Sequence, residues 1–155
     1  MNQEFMREAI RISEEKMRAG RGGPFGAVIV RGDRIVGKGW NEVTASNDPT
    51  AHAEMVAIRD ACKNLRTFRL DDCEMYASCE PCPMCLAAVY WARLKKLYFA
   101  NTRRDAADIG FDDEFIYNQL AVPLGARTLV CEPCLREEAQ AAFVEWKKKP
   151  DKIVY

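Results

Sequence analysis

Hydrophobic and polar positions change their spacing several times along the chain, and each change marks an element. From residue 2 to 19, Phe5, Met6, Ala9, Ile10, Ile12, Ser13 and Met17 recur near helical spacing with charges between them. That pattern predicts an amphipathic helix stopped at Gly20. Gly22-Gly23-Pro24 breaks the chain before the apolar run 25–30, a short strand, and Arg31-Gly32-Asp33 turns tightly into 34–40, so a hairpin is expected. A polar loop over 41–48 follows. Asp48 as N-cap and Pro49 at the first helical position then predict a helix reaching residue 64, with His52 and Glu54 in its first turns and Met55, Val56 and Ile58 on its buried face.

Residues 73–78 read as a third strand, Pro83 opens a helix through Trp91, and 94–99 reads as a fourth strand. Beyond a loop over 101–112 come a short helix over 114–120, a fifth strand over 127–131 and a last helix over 135–148, where Lys147, Lys148 and Lys149 suit a helix C-terminus. No repeat, low-complexity tract or linker interrupts this order. Strands alternating with helices predict an α/β fold, specifically a three-layer α/β/α sandwich with a five-stranded mixed sheet, in a single domain over 1–155.

Composition narrows the function. At 155 residues the chain is long enough for one substantial core. Lys plus Arg and Asp plus Glu both total 23, so net charge supplies no electrostatic footprint for nucleic acid or an anionic membrane. Residues 1–15 are charged throughout, without the apolar segment of a signal peptide, and no apolar run approaches the roughly 18 residues of a membrane span. A cytoplasmic protein is therefore expected. In that reducing compartment clustered cysteines favour a metal over disulfides.

The chemistry concentrates in two segments. The chain's one histidine stands in His52-Ala53-Glu54, and Pro81-Cys82-Pro83-Met84-Cys85 follows downstream. One imidazole and two thiolates make a three-ligand zinc set with an open fourth position, the pattern of a catalytic site and not of a closed structural one. Both segments lie at predicted helix N-termini, where unpaired N–H groups and the helix dipole favour anions. Glu54, beside a ligand without being one, is placed to take a proton from water and give it to a substrate nitrogen. The His-x-Glu…Pro-Cys-x-x-Cys pattern is the recognised signature of zinc nucleobase deaminases.

Alternatives remain open at this level. Cys79 extends the cysteine series and competes with Cys82 as ligand; Cys82 is preferred because Cys79 ends a predicted strand. Cys131-Glu132-Pro133-Cys134 is a second C-x-x-C, and a four-cysteine site with Cys82 and Cys85 would make the chain a zinc-stabilised binding module without turnover. That module would leave His52 and Glu54 unexplained.

Beyond the metal motif, the chain resembles the cytidine-deaminase-like superfamily and, within it, the bacterial guanine deaminases. The resemblance rests on segments 22–30, 46–54 and 78–85, on Tyr90-Trp91-Ala92-Arg93, on Gly110-Phe111-Asp112-Asp113 and on the terminal Tyr155. It implies that His52, Cys82 and Cys85 bind one zinc ion and that Glu54 shuttles protons. It further implies that Asn41 and Ala53 contact a purine, that Phe25, Trp91 and Phe111 wall the ring, and that Asp113 assists departure of the amine. Tyr155 would close the site, and exchange of the C-terminal segment would make a homodimer. The implied reaction is hydrolytic deamination of guanine to xanthine and ammonia. Guanosine, another nucleoside, or adenosine in transfer RNA is the alternative substrate. On residue type alone the three aromatics also fit a core, and Asp112 and Asp113 a helix cap.

Overall fold

The structure is a computed structural model that describes residues 1–154; Tyr155, expected to close the site, lies outside the described residues. The chain divides into two compact units, Met1–Asp113 and Glu114–Tyr155. The first contains α1 (Gln3–Arg18), β1 (Gly26–Arg31), β2 (Arg34–Trp40), α2 (Val43–Ser46), α3 (Ala53–Leu65), β3 (Cys73–Cys79), α4 (Pro83–Trp91), β4 (Lys96–Asn101) and α5 (Arg103–Asp108). The second contains α6 (Glu114–Ala121), a 3-10 turn (Leu124–Ala126) and α7 (Arg136–Lys148).

The sheet of the first unit is four-stranded, in the order β2-β1-β3-β4. β1 runs antiparallel to both β2 and β3, while β3 and β4 are parallel, so the sheet is mixed as expected. β1 reads as a continuous apolar run because both of its faces are covered. On one face, Val28, Val30 and Tyr76 pack with Ile12 of α1. On the other, Ala27, Ile29, Met75 and Ala77 pack with Ala53, Ala57 and Ala61 of α3 and Val89 of α4. The two-residue alternation of a strand thus sorts successive side chains between two helical layers.

The fifth strand is a correction. A strand requires a neighbour to pair its N–H and C=O groups. Residues 127–131 pair with none among the described residues, and Leu129 and Val130 are 73% and 78% exposed. The apolar run there was too short to force a ladder by itself.

The start of α3 is a second correction. The Asp48 carboxylate accepts from the backbone N–H and hydroxyl of Thr50, at 2.8 and 2.7 Å, and the Asp48 carbonyl accepts from Ala51 N–H. Asp48-Pro49 is consequently a turn, for which proline is as well suited as for a helix start. The helix begins later, at Ala53, and His52 is its extended N-cap residue, not part of its first turn. Two predicted loops also contain short helices, α2 and α5, the second closed by a capping box between Thr102 and Asp105.

One ion cluster ties α1 to the sheet. Glu8 receives Arg11 at 2.7 Å and Lys38 of β2 at 2.6 Å. The Arg11 hydrogen bond, reinforced by Lys38, holds the Glu8 carboxyl down to about 2 against the opposing effect of burial. A depressed carboxylate stabilises the fold above its ordinary value of 4.5, and that contribution is lost as pH falls from there toward 2. Glu8→Gln should therefore lower stability at pH 7 by about 0.5–1 kcal/mol, with the gap to the parent closing on acidification below about pH 4. Urea unfolding across that range checks it, and a pH-independent gap would contradict the ion-cluster account. Among the described residues, no helix is long and apolar enough to cross a membrane.

Candidate metal centre and active site

β3 ends at Cys79, level with Asn101 at the end of its parallel partner β4. There Glu80 N–H donates to the Asn101 carbonyl at 2.8 Å, and Pro81 leads into Cys82. Cys82 is the N-cap residue of α4, in extended conformation, with Pro83 at the first helical position. His52 holds the same place at the start of α3. Two helix N-termini therefore converge, one bringing the imidazole and the other both thiolates.

The side-chain donors of His52, Cys82 and Cys85 all lie within 4.8 Å of one another, and Cys82 Sγ is 3.5 Å from His52 Nδ1. Zinc bonded tetrahedrally at usual lengths, about 2.3 Å to sulfur and about 2.0 Å to nitrogen, would separate sulfur from nitrogen by about 3.5 Å. Two soft thiolates and an imidazole also suit zinc over a hard oxygen-seeking cation. The donor set fits. Cys79 is not part of it: its thiol lies 3.5 Å from the Thr102 carbonyl, and burial pushes its thiol up to about 11.

Of the three donors, Cys82 is the one whose surroundings favour the anion. A hydrogen bond from Cys85, and secondarily His52, holds the Cys82 thiol well below the usual range, while the same bond to Cys82, together with burial, raises Cys85. Hydrogen bonding with Cys82 raises His52. Glu54, in the first turn of α3, is only 7% exposed, and burial raises its carboxyl although the Cys85 thiol opposes this. A buried carboxyl beside candidate metal donors is an expensive arrangement for the fold and a useful one for moving protons.

Asn41 follows β2 directly and is buried. Its N–H donates to the Phe25 carbonyl at 3.1 Å, and Glu42 N–H donates to Ala51 at 2.9 Å, linking it to the segment before His52. The Phe25 and Phe111 rings meet edge to face with centroids 4.9 Å apart. Two residues beyond Phe111, Asp113 is half-buried, and its carboxyl is raised by burial and then by the negative charge of Cys82. Its neighbour Asp112 is exposed. Ala53 is buried at the first position of α3. Trp91 differs: it ends α4, whose first turn holds Cys85, and is 68% exposed. Cys131 and Cys134 lie in the second unit, half-buried and exposed.

Sequence reasoning passed over two supports of this site. Ser78, 3% exposed, accepts from Gly26 N–H at 3.0 Å and joins the start of β1 to the end of β3. Glu80 accepts from Arg103 N–H at 3.1 Å, anchoring α5 beside the cysteine loop. Only the strand pairing could reveal the first, since Ser78 by itself is an ordinary strand residue.

Comparison with known proteins agrees with this geometry. The model of the cytidine and deoxycytidylate deaminase zinc-binding region matches residues 1–101. Guanine deaminase of Bacillus subtilis (strain 168) is 49% identical over 156 residues, covering 100% of both chains. The X-ray structure of the guanine deaminase from Bacillus subtilis superposes with a TM-score of 0.96, covering 100% of this chain and 99% of that one. The tRNA-specific adenosine deaminase of Haemophilus influenzae is 33% identical, covering 98% of this chain and 88% of the relative. The chain belongs to the cytidine and deoxycytidylate deaminase family of zinc-binding proteins.

Proposed function

We propose that this protein is a zinc-dependent guanine deaminase, hydrolysing guanine to xanthine and ammonia. The observation that carries the reading is the full-length 49% identity to a guanine deaminase, borne by a chain whose three metal donors converge beside a buried carboxyl. His52, Cys82 and Cys85 would hold the ion. When bound, zinc supplies the Lewis acidity that makes water nucleophilic near neutral pH.

The chain's own residues do the rest. Glu54 removes a proton from the attacking water and delivers it to the ring nitrogen beside C2 of guanine. Its raised carboxyl, a consequence of burial, favours the return of that proton. Asp113 stands near Cys82 and assists departure of the amine. Asn41 and Ala53 hold the purine, and Phe25 and Phe111 shield its faces from water. Residues 1–155 would serve as one deaminase domain, made complete in a homodimer through exchange of the C-terminal segment. Supporting this, no described residue of α6 or α7 is buried. A sedimentation mass of one chain would sink the dimer.

The test is ammonia release from guanine, guanosine, adenine, cytosine and a tRNA anticodon arm, each offered to the zinc protein. Guanine alone should release it. Release from guanosine without guanine would replace the substrate, release from the anticodon arm would favour the tRNA relatives, and silence on all would leave a binding module. Metal analysis separates the two zinc sites considered. His52→Ala should lose the ion and Cys131→Ala keep it; the reverse result would place zinc on the second C-x-x-C.

A further inference from the structure

Asn41 cannot choose freely which end of its carboxamide meets a ligand. Its Oδ1 accepts from two backbone donors, Gly23 N–H at 3.4 Å and Val43 N–H at 3.3 Å. Those donors fix the amide orientation, because a flip would set Nδ2 against two N–H groups. Nδ2 donates to nothing among the described residues. The carboxamide is therefore anchored by its acceptor and open at its donor.

The turn that supplies the first anchor admits no side chain. Gly22 has φ of +150°, where L-residues are strained, and a Cβ there would lie 1.9 Å from the Asn41 carbonyl oxygen and 3.1 Å from Oδ1. The same turn backs the aromatic wall: a Cβ on Gly23 would lie 3.2 Å from Phe111 and 3.3 Å from Phe25.

We propose that the Gly22–Gly23 turn is the positioning device of the recognition site, holding the Asn41 acceptor against the backbone so that the substrate meets only the Nδ2 donor. The site then selects ligands carrying a hydrogen-bond acceptor opposite Nδ2, a carbonyl oxygen or an unprotonated ring nitrogen, and disfavours those offering N–H there. This rests on Asn41 being a purine contact, as the proposed function has it.

Two variants of the zinc enzyme test it on guanine. Asn41→Asp keeps the acceptor for the two N–H groups and removes the outward donor. Gly22→Ala leaves Asn41 chemically intact and displaces it. Each should raise KM by about tenfold, the loss of one well-made hydrogen bond, with kcat changed by less than about threefold and zinc content unaltered. A raised KM in Asn41→Asp with a parental KM in Gly22→Ala would overturn the positioning role and leave the purine contact standing. A parental KM in Asn41→Asp would remove the purine contact itself, and the inference with it. Hydrogen exchange in the unliganded parent decides the matter even where Gly22→Ala does not fold. Protected amides at Gly23 and Val43 mean a preformed clamp, and exchange at the free-chain rate would overturn it.

Discussion

Glu54→Gln should bind one zinc ion per chain and lose turnover on guanine by about 10²- to 10⁴-fold, the range ascribed to a positioned proton carrier. The substitution conserves shape and removes the only function the fold does not need from that position. Glu54 is 7% exposed, and its burial disfavours the charged carboxylate and so costs stability. The neutral amide relieves this desolvation, so the variant should be at least as stable as its parent. Loss of activity with gain of stability is the signature of a functional buried acid. Ammonia release, metal analysis and urea unfolding on the same sample test all three. A fully active Glu54→Gln would remove the residue from the mechanism.

Gly39→Ala is expected to damage the site from a distance. Gly39 lies in β2, and a Cβ there would sit 2.1 Å from the Ala53 carbonyl oxygen and 2.4 Å from the Ala57 nitrogen. Both are backbone atoms of α3, so no rotamer change can make room. The helix must move away from the sheet, and His52 and Glu54 move with its first turn. Overpacking of this kind costs about 1–3 kcal/mol. A shift of about 1 Å at reacting groups can lower the rate by about 100-fold. Gly125→Ala is the control, since its Cβ would meet nothing within 4 Å. Parental stability and kcat in Gly39→Ala would show that α3 is not held by this approach.

The two variants separate the local from the distributed parts of the site. Glu54 could be picked out as a candidate beside His52 because a metal ligand and a proton carrier serving the same metal have to be close, and neighbours on one chain are the simplest way to arrange that. Cys82 and Cys85 were legible for a similar reason: with Cys82 at the N-cap of α4, a three-residue spacing places both thiols at one helix start. The strands of the hairpin and the apolar face of α1 followed from periodicity, which burial on one or two faces imposes directly.

Other features depended on partners remote in sequence. Asp48-Pro49 suits a helix start or a turn equally, and only the hydrogen bonds of Thr50 decided for the turn. Residues 127–131 have strand-forming side chains, but a strand exists only beside another, and no composition rule supplies that neighbour. Asp112 and Asp113 are indistinguishable by type; burial and the charge of Cys82 separate them.

By itself the sequence singled out the candidate metal donors, the candidate proton carrier and the α/β class, because His-x-Glu, Cys-x-x-Cys and the alternation of elements are each written in local spacing. Tertiary structure alone decided that the Cys79 thiol meets the Thr102 carbonyl, that the donors of His52, Cys82 and Cys85 converge, that α3 starts at Ala53, that four strands form the sheet, and that the Asn41 side-chain oxygen accepts from Gly23 and Val43. Those outcomes are set by which backbone groups from distant segments find one another, and spacing along a chain carries no record of that.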